Sequence, residues 1–122
     1  MENCIPVISR KSCGILPLKD ILYANFNYRR AEIHTCTDTI VVYEMKDDIE
    51  ERLSQYFNHS LKGLYINFDR VVRMSCGDII FDNGDRLGIG HNNYARIRGD
   101  YIVYLKNIKN RLQKKTTYSI LS

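Results

Sequence analysis

The stretch Asp78-Ile79-Ile80-Phe81-Asp82-Asn83-Gly84-Asp85-Arg86-Leu87-Gly88-Ile89 sets an Asn-Gly pair between two apolar runs. That pair is the strongest short-range signal of a β-hairpin. A type I′ turn needs φ > 0 at both central positions, and Asn and Gly accept it. Two antiparallel strands joined at Asn83-Gly84 are therefore expected. The carboxylates of Asp82 and Asp85 do not make a calcium loop, because the ladder of oxygen ligands ending in Glu is missing.

On the N-terminal side of the hairpin, Val71 to Met74 and Leu64 to Phe68 read as further strands. Upstream of them the period changes. Ile49, Leu53 and Tyr56 recur on one face of a helix over Lys46 to Phe57, with Asp47 and Asp48 in the first turn, where the helix dipole favours acids. Asn58-His59-Ser60 is expected to end that helix as a loop. Thr39 to Tyr43 is the strongest strand, crowded with β-branched side chains. Arg30 to Thr35 alternates, with Ala31, Ile33 and Thr35 on one face and Arg30, Glu32 and His34 on the other. By that alternation His34 is an exposed strand residue. Ile21 to Phe26 suits a pleated, half-buried surface. Gly14 to Leu18 carries Pro17, which marks an edge strand, and Ile5 to Ile8 opens the chain with a short strand.

Downstream of the hairpin, Ile97, Tyr101, Tyr104, Leu105, Ile108 and Leu112 recur at helical steps. Arg98, Lys106, Lys109 and Arg111 line the polar side. Packing of the apolar stripe onto the sheets is expected. The whole order gives a mainly β fold of antiparallel hairpins with one short helix mid-chain and a C-terminal helix. One domain spans residues 1–113, followed by a basic, polar tail at 114–122 that is expected to fray.

The 122 residues, 44% hydrophobic and 26% charged, fit a single globular domain rather than a disordered chain. No apolar run is long enough for a membrane span. Met1-Glu2-Asn3-Cys4-Ile5-Pro6 lacks the basic and apolar regions of a signal peptide, so a cytoplasmic protein is expected. Cys4, Cys13, Cys36 and Cys76 form no CxxC pair and read as free, buried thiols. They are as scattered as His34, His59 and His91, so no metal site is expected. Net charge is +4, but seven basic residues and one acid fall between Arg96 and Lys115, leaving 11 basic and 13 acidic residues elsewhere. Such asymmetry suits a polyanion partner.

Catalytic signals are thin. There is no Gly-rich phosphate loop, HExxH or GxSxG motif, and His91 has no nucleophile beside it. No enzyme activity, cofactor or small-molecule substrate is expected. The polar groups left over by folding gather at three tips: Tyr28-Arg29-Arg30, then His59, Ser60 and Lys62, then His91-Asn92-Asn93. Arg and Lys bond phosphates or guanine edges, Asn bonds adenine, and His does either. Three such loops on a β scaffold could form one edge that faces nucleic acid. Ordinary solvated loops of a globular domain have the same composition.

In the same order, the chain resembles a LytTR-type DNA-binding domain, the output module of bacterial response regulators. Ile15-Leu16-Pro17-Leu18-Lys19-Asp20-Ile21-Leu22-Tyr23 resembles the family's opening strand and its "x-Asp-Ile-x-Tyr-Ile". Arg30-Ala31-Glu32-Ile33-His34-Thr35 resembles its "V-x-I-H-T" strand, and Met45 to Leu53 its "S-L-K-E-L-E-E-x-L" helix. Leu64 to Val71 resembles "Y-x-V-N-L-x-x-I", which sets Asn67 on the family's Asn. Asp78 to Ile89 resembles the hairpin signature "N-G-x-x-L-x-I". The resemblance covers about residues 5–105. It implies an elongated β-β-β fold of about ten short strands that binds DNA by loops entering the major groove. The implied DNA-binding residues are Tyr28, Arg29, Arg30, His59, Lys62, His91, Asn92 and Asn93. Two departures stand out. The family's His-Arg-Ser core is replaced by Leu61-Lys62-Gly63, and its "I-S-R-R" by Ile89-Gly90-His91-Asn92.

The resulting expectation is sequence-specific binding of double-stranded DNA by a bacterial transcriptional regulator, with two protomers on repeated half-sites or a homodimer. The alternative is a LytTR-like protein-interaction module whose DNA binding is weakened and which modulates another regulator. No membrane partner is expected.

Overall fold

The computed structural model describes the backbone of residues 3–121 and the side chains of residues 3–110. Apolar residues alternate along β1 (Cys4–Ile8), burying Ile5 and Val7. This strand pairs antiparallel with β2 (Cys13–Pro17) in a two-stranded sheet. A short 3-10 turn at Leu18–Asp20 leads into the central sheet. Its strands are β3 (Ile21–Phe26), β4 (Ala31–Thr35), β5 (Thr39–Val42), β6 (Asn58–Leu61) and β7 (Leu64–Ile66), in the order β5-β4-β3-β7-β6. The third sheet holds β8 (Val71–Ser75), β9 (Asp78–Phe81) and β10 (Arg86–Gly88), in the order β10-β9-β8. Helix α1 (Lys46–Ser54) crosses from β5 to β6, and α2 (His91–Leu121) follows the last strand. The expected class is borne out: mainly β, ten antiparallel strands, three sheets, a short helix mid-chain and a C-terminal helix.

Two cores share β3. Ile21 and Ala24 join Ile5, Val7, Leu18, Ile33, Val42, Ile49 and Leu53 in one. Leu22 joins Leu64, Ile66, Val71, Ile79, Phe81, Ile97 and Tyr101 in the other. Strict alternation would not give that split. The β3–β4 register slips between Ile21 and Tyr23, and this irregular step lets neighbouring residues serve both cores. A fully buried Ile or Leu stabilises by about 1.5–3 kcal/mol. An exposed ion pair contributes about 0–1 kcal/mol. The two cores therefore hold the fold, not pairs such as Arg86–Asp78 at 3.6 Å.

Several expectations need correction. The helix of residues 46–57 stops at Ser54, so Tyr56 is half exposed and Phe57 is buried in its place. Asn58-His59-Ser60 is not a loop but the body of β6, paired with β7. In the hairpin of residues 78–89 only Gly84 has positive φ, at 93°, and Asn83 does not. The Gly84 N–H bonds the Phe81 carbonyl and the Phe81 N–H bonds the Asp85 carbonyl, both at 2.9 Å. That is a three-residue loop with glycine at the left-handed bulge position, rather than a two-residue turn. The I′ geometry lies one hairpin earlier, at Cys76 (φ 54°) and Gly77 (φ 85°), between paired Ser75 and Asp78. All four cysteines are free, as expected, but none is buried: Cys13 and Cys76 are exposed, Cys4 and Cys36 half-buried. His34 is half-buried too, stacked on Tyr23 with ring centroids 4.2 Å apart.

In α2, Ile97, Tyr101 and Tyr104 pack on the third sheet as expected. Leu105 does not, being 43% exposed. The helix begins at His91, earlier than its apolar stripe. The tail at 114–122, expected to fray, continues α2 as helix to Leu121, and the side chains of Arg111, Leu112, Lys114 and Lys115 lie outside those described.

Candidate nucleic-acid interface

Tyr28, Arg29 and Arg30 form the turn between β3 and β4. Asn27 shapes it. Its side-chain carbonyl accepts the N–H groups of Arg29 and Arg30, each at 2.8 Å, and its own N–H donates to the Arg30 carbonyl at 3.0 Å. Such Asx capping fixes a tight turn and pushes the next side chains outward. Tyr28 is 83% exposed. The Arg29 guanidinium lies 5.3 Å from the centre of the Tyr28 ring. Arg30 is partly committed, with its guanidinium 3.1 Å from Glu32. Among the described residues Arg29 has no ion-pair partner, so it is the freer cation of the two.

Lys62 and Gly63 form the β6–β7 turn. The Phe26 N–H donates to the Gly63 carbonyl at 2.7 Å, which sets this turn directly beside the β3–β4 turn. Gly63 has φ +77°, and a Cβ there would come within 2.7 Å of the Phe26 carbonyl oxygen. Only glycine allows so close an approach. Lys62 is exposed next to it. His59 is exposed on β6, with its ring stacked on Tyr65 at 5.7 Å. Tyr65 is buried and donates its hydroxyl to Glu50 at 2.8 Å. Burial, then that carboxylate, push its pKa up to about 12. The phenol therefore stays protonated and anchors α1 to the floor beneath His59.

His91, Asn92 and Asn93 are exposed, but they occupy the first turn of α2 rather than a loop. The Tyr94 N–H closes that turn on the Gly90 carbonyl at 2.8 Å. The helix is fastened to β6. Asn58 donates to Asp100 at 2.9 Å, Ser60 donates to the same carboxylate, and Arg96 donates to the Ser60 carbonyl at 3.4 Å. His91 stands about 7.5 Å up the helix axis from Arg96. Tyr28–Arg30 and Lys62 are thus brought together directly. His59 neighbours the α2 contact through Ser60, and His91–Asn93 reach it only through the helix.

Arg96 lies in the basic segment of the sequence and not at a tip, yet the fold brings it to β6. The signal in the sequence is the spacing of Arg96 and Asp100, one helical turn apart about buried Ile97, which sets both against β6. Asn67 is buried and does not face solvent. Its amide donates to the Ile21 carbonyl at 2.9 Å and its side-chain carbonyl accepts the Asp69 N–H at 3.1 Å. It ties the end of β7 to the start of β3.

Among the described residues, no group of three or more His, Cys, Asp or Glu side chains could hold a metal ion. No described helix is long and apolar enough to cross a membrane.

No family model matches the chain. No curated protein matches it either. Among solved structures, the chain is similar to the LytTr DNA-binding domain of a methyl-accepting/DNA response regulator from Bacillus cereus. The TM-score is 0.60 at 12% identity, over 82% of this chain and 96% of that one. The chain therefore has the LytTR-type fold.

Proposed function

We propose that the protein binds double-stranded DNA sequence-specifically through the surface built by Tyr28–Arg30, His59–Lys62 and the start of α2, and that it acts as a transcriptional regulator. The observation that carries this reading is the hydrogen bond from Phe26 to Gly63, which joins two of the three polar clusters into one surface. The LytTR-type fold supports it. Arg29, Lys62 and Arg96 supply charge for phosphates, and His59, His91, Asn92 and Asn93 supply groups for base edges in a major groove. Binding, not catalysis, is the role of these groups.

The second reading is a protein-interaction module with weakened DNA binding. It is favoured by Leu61-Lys62-Gly63 and Gly90-His91-Asn92, which stand where the resembling domains carry arginines. Selection of bound sequences from random duplexes at about 150 mM salt separates the two readings. An enriched motif with repeats about 10 base pairs apart supports a regulator acting as two protomers. No enrichment from folded protein sinks the first reading and leaves the second.

A further inference from the structure

The turn between β1 and β2 is one of the most basic tips on the molecule outside the surface described above. It reads Ser9-Arg10-Lys11-Ser12. It is held by three bonds: the Ser9 N–H to the Ser12 carbonyl at 2.9 Å, the Ser9 hydroxyl to the same carbonyl at 2.9 Å, and the Ser12 N–H to the Ser9 hydroxyl at 3.1 Å. Arg10 and Lys11 are exposed, and among the described residues neither has an ion-pair partner. The turn lies along the edge strand β5. Between them runs an open groove lined by Arg10, Lys11, Ser12, Arg30, Thr39 and Tyr43, among others. One acid, Asp38, lines it, and the Thr35 hydroxyl already donates to that carboxylate at 2.6 Å. Arg30 belongs both to this groove and to the β3–β4 turn.

We propose that this groove is a second phosphate-binding surface, which takes the backbone of a duplex beyond the stretch gripped by Arg29 and Lys62. The inference rests on the DNA-binding reading. Arg10 and Lys11 are unpaired among the described residues, and Arg30 is shared with Glu32 at 3.1 Å. Asp38 is the one carboxylate lining the groove, so the lining stays net positive, with the Ser12 and Tyr43 hydroxyls able to donate. That suits phosphate oxygens rather than a cationic partner. The hairpin presents its cations on a tied turn, so little ordering is lost on contact. Continuity comes from Arg30, which stands at the junction of the two surfaces.

The test uses the full chain with two random-sequence duplexes, about 12 and about 30 base pairs long, titrated across salt. The variant is Arg10→Ala with Lys11→Ala. Neither side chain is buried, so thermal stability is expected to be unchanged. On the long duplex the salt slope is expected to fall by about two, so that the affinity lost between about 50 and 200 mM salt shrinks roughly tenfold. On the short duplex the slope is expected to hold. An unchanged slope on both duplexes, while Arg29→Ala with Lys62→Ala weakens binding, overturns the groove and leaves the main surface standing. An equal drop on both overturns its place beyond the main contact. Wild-type protein that binds neither duplex overturns the DNA reading itself.

Discussion

Asn67 shows how a residue type can mislead about its role. Asn is a good reader of adenine, and the resemblance set it on a marked position of the family. Here its amide and carbonyl are both consumed by backbone groups inside the protein. Asn67→Ala is expected to destabilise the fold by about 1–3 kcal/mol, because the buried Ile21 carbonyl loses its donor. Urea unfolding measures this, and an unchanged midpoint would refute the structural role. His34 is a second case. Burial pushes its pKa below the usual histidine value, against the pull of Glu32 and Asp85. The neutral ring lies against Tyr23, and its Nδ1 is 3.2 Å from the Thr39 hydroxyl. The unfolded chain binds a proton there more readily than the folded one. The stability this confers is full above the ordinary histidine pKa and is lost as pH falls through the depressed value. Melting temperature measured from pH 7 down to 5 is expected to fall less steeply for His34→Gln than for the wild type. Parallel slopes would show that the ring's burial has no such effect. Alternation alone marked His34 as exposed, because it does not register Tyr23 and Phe81 stacking behind it across the sheets.

Strands and helices were more legible than the joints between them. β-branched runs and helical periodicity located most of the ten strands and both helices, since both signals come from local side-chain sterics and one buried face. The turn types were not legible. Asn83-Gly84 promised a two-residue turn, yet the strands close one residue longer, while Cys76-Gly77 takes the tight geometry with a poorly suited residue. Cys76 stands exposed at φ 54°, where a side chain with a Cβ is strained. Cys76→Asn is expected to stabilise the β8–β9 hairpin by a few tenths to about 1 kcal/mol, because Asn tolerates that region. A lower melting temperature for this variant would contradict the strain. Gly63 is the opposite case, a glycine that cannot be replaced. Gly63→Ala is expected to cost about 3 kcal/mol or more, from positive φ and contact with the Phe26 carbonyl together. Its effect would be read by denaturant unfolding, and a cost under about 1 kcal/mol would show that the two turns part easily. β6 was missed as a strand because its alternation is polar: Asn58 and Ser60 serve α2, and His59 faces solvent.

The distribution of charge over the molecule, and not its modest total, is what the proposed DNA binding draws on. The polar tips were legible because residues that folding does not use remain conspicuous in the sequence. Their placement was not, since it depends on the backbone bond between Phe26 and Gly63 and on side-chain bonds between α2 and β6 that no local pattern encodes. Arg96 reaches β6 for that reason alone. Its bond to the Ser60 carbonyl is long and exposed, so Arg96→Ala is expected to change stability by less than about 0.5 kcal/mol. If its charge instead meets phosphate, the same variant reduces the salt slope for duplex binding by about one. Arg29→Ala with Lys62→Ala is expected to reduce it by about two, again with little change in melting temperature, since both side chains are exposed. The three substitutions combined should then add, because independent phosphate contacts contribute separately to counterion release. Additive slopes with an unchanged melting temperature would mark one continuous phosphate-facing surface. A triple variant that binds duplex DNA as the wild type does would remove these tips from the contact and shift the weight to protein partners.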